Sequence, residues 1–112
     1  MIDLYLREGS EETIEFTLKR GNVPFNLTGK TVVMHRINSL EIKDAFSTAD
    51  MPPLLVISDG VNGQLKFNPS STTWKKESIG SEYSLYFDVD VAGKSLFFPE
   101  ANNINVRISP AF

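Results

Sequence analysis

Apolar and polar residues alternate with a period of two along most of the chain, the pattern of half-buried strands. The longest run places Tyr83, Leu85, Phe87, Val89 and Val91 on one face and Ser84, Tyr86, Asp88 and Asp90 on the other. Ile14, Phe16 and Leu18 oppose Thr13, Glu15, Thr17 and Lys19, and Ile104, Val106 and Ile108 oppose Asn103, Asn105 and Arg107. A short first strand is predicted where Ile2, Leu4 and Leu6 alternate with Asp3, Tyr5 and Arg7. Between residues 30 and 37 the β-branched Thr31, Val32, Val33 and Ile37 favour a strand, with Val32 and Met34 on one face and Val33, His35 and Ile37 on the other.

Turn residues separate these runs. Gly21-Asn22, Asn26 to Gly29, the stretch 59–63 and Ala92-Gly93 all read as corners, and Pro24 and Pro99 mark strand ends. The stretch 59–63 joins strands at 54–58 and 64–67 into a hairpin, and residues 94–98 form a strand after Gly93. The alternation decays at 38–53, which predicts a long loop with a short strand near 40–43. The one candidate helical piece is 69–76, a turn or two at most because Ser and Thr compete for backbone hydrogen bonds. Seven or eight short strands with almost no helix predict an immunoglobulin-like antiparallel β-sandwich, one domain spanning 1–112.

Composition narrows the function. With 41% hydrophobic and 22% charged residues over 112 positions, the chain is long and apolar enough for one core. It has no cysteine, which excludes disulfides, thiolate metal sites and cysteine catalysis. The net charge is −3, and the basic residues cluster only as Lys19-Arg20 and Lys75-Lys76, too few to track a phosphate backbone. Nucleic acid is therefore not an expected partner. No stretch approaches the about 20 apolar residues that cross a bilayer, so membrane insertion is not expected, and the first residues read as a strand and not as a signal peptide.

Candidate chemistry is sparse. His35, the single histidine, lies mid-strand, where a partly buried, hydrogen-bonded ring is the expectation. There is no G-x-S-x-G elbow to build a serine nucleophile on. Asp88 and Asp90 share a strand face and Asp59 lies in a turn, but calcium takes about six to eight oxygen ligands and no D-x-D-x-D-G loop is present. Glu8, Glu11 and Glu12 read as a solvated corner, and Asn26-Leu27-Thr28 as a chance sequon. No catalytic, cofactor or metal residue is assigned, and the chain is not expected to be an enzyme. Phe16, Phe67, Tyr83 and Phe87 are expected in the core, and Trp74 in the core or as a plug at one end. One of Phe97 and Phe98 must face away from the core. Together with Phe46, Met51 and Phe112 in irregular or terminal segments, Phe97 and Phe98 are the candidate partner contacts.

The order of these features resembles a known family. Gly9, then Ile14-Phe16-Leu18, Gly21, Pro24 and Asn26-Leu27-Thr28-Gly29 come first. Asp59-Gly60, Asn62-Gly63, Trp74, Gly80 with Tyr83 to Phe87, Gly93, Phe98-Pro99 and the closing Ile104 to Ile108 follow. The series is similar to the N-terminal domain of phage baseplate upper proteins and related small tail proteins of Gram-positive phages and prophages. Asn26 stands where the family has Asp before Leu-Thr-Gly, Ser10 stands where it has Asp after the glycine, and the segment 41–53 is longer.

The resemblance implies an immunoglobulin-like module of a virion tail that is made in the host cytoplasm. Its partners would be other tail or baseplate proteins, within a homo-oligomeric assembly. The alternative reading is a carbohydrate-binding or receptor-binding sandwich using Trp74 or Tyr86.

Overall fold

The computed structural model describes residues 3–38, 43–74, 82–99 and 104–109. These form eleven strands: β1 (Asp3–Arg7), β2 (Ile14–Thr17), β3 (Lys19–Arg20), β4 (Val23–Pro24), β5 (Val32–Asn38), β6 (Lys43–Ser47), β7 (Leu55–Asp59), β8 (Gln64–Phe67), β9 (Glu82–Val91), β10 (Lys94–Phe98) and β11 (Ile104–Ser109). There is no helix among the described residues.

A six-stranded sheet runs β1-β11-β9-β5-β6, with β10 continuing the β11 side of β9. One flank of β9 is thus shared: its first half pairs with β11 and its second with β10. A three-stranded sheet, β2-β8-β7, faces it, and β3 and β4 form a two-residue hairpin. Pairing is antiparallel throughout except at the margin, where β1 runs parallel to β11 with Leu4 opposite Val106. That pair departs from the all-antiparallel expectation.

The period-two pattern explains the core. From Tyr83 to Val89 the apolar positions of β9 are buried and the intervening ones are half-buried, and Ile104, Val106 and Ile108 repeat the arrangement on β11. Phe16 of β2 meets Phe87 of β9 edge-on at 4.9 Å between ring centres, and Phe46 of β6 meets Phe67 of β8 at 5.0 Å. Such edge-to-face pairs between facing sheets are the contacts that make a sandwich core.

Three expectations need correction. The run through Lys19 is not one strand: β2 ends at Thr17, and Leu18, still buried, donates its N–H to Gly63 O at 2.8 Å. The loop predicted at 38–53 holds strand β6 at Lys43–Ser47, later than the short strand expected near 40–43; residues 39–42 lie outside the described set. The stretch 69–74 forms turns and no helix, because Ser70 and Thr73 satisfy each other locally. Ser70 donates its N–H to Thr73 Oγ1 at 2.9 Å, and Thr73 returns its N–H to Ser70 O at 3.1 Å. Lys75 and Lys76 lie outside the described residues.

The corners follow turn chemistry. Thr28 N–H is accepted by Asn26 Oδ1 at 2.9 Å, an Asx turn. Ala92 and Gly93 both adopt positive φ, 53° and 82°, as a tight two-residue hairpin requires. Gly93 donates its N–H to Asp90 Oδ1 at 3.1 Å, which fixes the β9–β10 register. No helix of the described residues is long and apolar enough to cross a membrane.

Candidate protein-contact face

The strand period carries some side chains of β5, β9 and β10 inward and the others onto the outer face of the large sheet. On that face Asp88 is opposite Val33 on one side and Phe97 on the other, and His35 is flanked by Ala45 and Tyr86. His35 and Tyr86 stack at 4.7 Å with 17° between ring planes, and Tyr86 meets Phe97 edge-on at 5.8 Å. The three rings make a continuous ridge across β5, β9 and β10.

One carboxylate lies beside this ridge. Asp88 Oδ2 accepts a hydrogen bond from Ser95 Oγ at 3.3 Å and lies 3.9 Å from His35 Nε2. At that distance His35 is within ion-pair range but not hydrogen-bonded to Asp88. Asp90 is occupied by the turn at Gly93, and Asp59 accepts from Asn62 Nδ2 at 2.8 Å.

The five candidate contact residues separate by location. Phe97 is 52% exposed on the outer face, whereas Phe98 is 1% exposed and packs against Phe25 at 5.2 Å beneath the Arg20 guanidinium. The alternation of the strand dictates this split. Met51, 93% exposed, stands in the bend before β7. Phe46 is half-buried with its ring against Phe67, on the inner side of β6. Phe112 lies outside the described residues. The structure therefore does not unite the five in one patch: Met51 and Phe97 are surface groups, and Phe46 and Phe98 are packing groups.

Two arrangements were not drawn from the sequence. The first is the ridge itself, which places Tyr86, His35 and Phe97 side by side. The second is a ring-lined arginine at one end of the core. Arg36, inward by the same period as Val32 and Met34, puts its guanidinium 4.6 Å from the Tyr83 ring centre, 5.3 Å from Phe46 and 5.6 Å from Trp74. It also donates to Asp44 and to the Thr73 carbonyl. Trp74 is fully buried in this group, in contact with Phe67 and Tyr83, so no sugar can stack on it in the folded state. The carbohydrate reading thereby loses its principal aromatic.

The sheets, their order and the half-exposed ridge define a class, an all-β sandwich with an aromatic outer face. Among solved structures this chain is similar to the N-terminal domain of ORF48 of phage TP901-1. The TM-score is 0.58, with 97% of this chain and 84% of that chain covered at 14% sequence identity. Identity this low makes the likeness one of fold. No family model matches the chain, and no curated protein matches it.

Proposed function

We propose that this chain is a non-catalytic assembly component of a phage or prophage tail, of the baseplate kind. It works as one immunoglobulin-like domain, residues 1–112, that docks onto other tail proteins and associates with further copies of itself. It is made in the host cytoplasm and resides in the virion tail.

The observation that carries this reading is the fold likeness to a domain of a phage protein over nearly the whole chain. It comes from the backbone path, whereas the resemblance to small tail proteins comes from turn and core residues. Two kinds of surface support a contact role. Among the described residues β1 and β6 stand at the two margins of the large sheet, and such margins can accept a partner strand through main-chain hydrogen bonds. The exposed Met51 and Phe97 supply apolar contact area, while Phe98 lies in the core and Phe46 packs against it.

The test is to mix the purified chain with purified tail proteins encoded beside its gene, and to follow complex formation by size-exclusion with light scattering. A stable complex of defined mass is expected. A strict monomer at high concentration that binds none of them would overturn the reading.

A further inference from the structure

From the outer sheet face we infer a binding site for an arginine side chain presented by a partner protein, formed by Asp88, Phe97, Tyr86 and His35. This deepens the assembly reading, on which it rests, by naming the chemistry of the contact. Asp88 is a carboxylate with Val33 and Phe97 directly opposite it; the Tyr86 and His35 rings lie in the row on one side, and Asp90 and Ser95 in the row on the other. Its side chain is 25% exposed, and no Lys or Arg among the described residues forms an ion pair with it. Ser95 and His35 both approach Oδ2, which leaves Oδ1 without a hydrogen-bond donor among the described residues.

Such a site is complementary to a planar cation. A guanidinium lying over the ring of Phe97, a residue about half exposed, can direct its N–H groups at Asp88 while its own face stacks on an aromatic. An ammonium lacks both the plane and the fork of donors. The chain already holds one arginine by this chemistry, since Arg36 lies against three rings with a carboxylate along its edge. The inner site is filled by the chain itself, and the outer one combines the same groups on an open face.

The test titrates the ¹⁵N-labelled full chain with N-acetyl-arginine methylamide, and in parallel with its lysine and citrulline counterparts, following amide shifts. Citrulline keeps the shape of arginine without its charge. Arginine is expected to move the amides of residues 86–88, 95–97 and 35 in a saturable way, with citrulline and lysine weaker by about tenfold or more. The isosteric Asp88→Asn variant, with a folded spectrum, is expected to lose the response.

An equal response to citrulline or lysine overturns the proposal, as does no localised response. Shifts of these amides that follow protein concentration without any probe also overturn it, by assigning the face to a second copy of the chain. If Asp88→Asn still binds the tail proteins as tightly as the parent chain, this site falls and the assembly reading stands.

Discussion

Arg36 and Asp44 meet through two parallel hydrogen bonds across β5 and β6, with Nε 2.9 Å from Oδ1 and Nη2 2.5 Å from Oδ2. They are opposed in the strand register, so the pair ties an edge strand to the sheet interior. Their environments differ: the Arg36 side chain is 12% exposed, while that of Asp44 is about half exposed. Arg36→Ala removes packing against three rings and leaves the Thr73 carbonyl without its donor, at an expected cost of about 2–3 kcal/mol. Asp44→Asn keeps the shape but turns one acceptor oxygen into a donor facing Arg36 and removes the charge partner of a largely buried guanidinium. Because Asp44 itself is half solvated, a loss of about 1–2 kcal/mol is expected, below that of Arg36→Ala. Urea unfolding of the two variants checks the order.

Gly63 is expected to be the least replaceable corner glycine among the described residues. It has φ +66°, and an added Cβ would lie 2.6 Å from Leu18 O and 2.7 Å from Phe25 O, both backbone atoms, of which Leu18 O accepts the Phe25 N–H. Gly21 has a similar φ of +62° but nothing within 4 Å of that position. Gly21→Ala therefore carries only the left-handed backbone penalty, about 1 kcal/mol, while Gly63→Ala adds a clash that backbone must move to relieve. Thermal melts should separate the two clearly, with Gly63→Ala far lower.

Trp74, the single tryptophan, reports on the end of the core. It is fully buried, and its indole Nε1 has no hydrogen-bond partner among the described residues. Folded protein is expected to show blue-shifted emission that acrylamide quenches poorly, moving to the red on unfolding. Trp74→Phe leaves a cavity but removes the unsatisfied donor, and about 1–2 kcal/mol is expected to be lost. Trp74→Ala is expected to cost about 3–5 kcal/mol.

Phe97 and Phe98 are adjacent in sequence and opposite in role. Phe98→Ala empties a core position and is expected to destabilise by about 3–5 kcal/mol. Phe97→Ala acts on an exposed ring, so stability within about 1 kcal/mol of the parent is expected together with weaker binding to a tail-protein partner. Denaturation and calorimetric binding on both variants would distinguish them.

The residues themselves made much of this fold legible. The alternation at Tyr83 to Val91 became the buried-and-half-buried pattern of β9, and the glycine and asparagine corners became turns. Strand β6 was illegible for a specific reason. Its inward positions are Asp44 and Phe46, because Asp44 turns toward Arg36, and a charge at an inward position breaks the hydrophobic period. Arg36 interrupts the same period on β5, where Val32 and Met34 nonetheless marked the inner face. The parallel β1–β11 pair and the sharing of one flank of β9 depend on long-range register, which local pattern does not encode. Of the candidate contacts, the division between Phe97 and Phe98 followed from strand geometry. The ridge that joins Phe97 to Tyr86 and His35 required the alignment of three strands.

Quantitative mass spectrometry of purified virions from a host that carries the gene tests whether this chain is a tail component. The chain is expected in tail-bearing particles at a fixed copy number relative to other tail proteins, retained after high-salt washing. Its absence from the particles, with the protein abundant in the lysed host, would show that it is not a tail component.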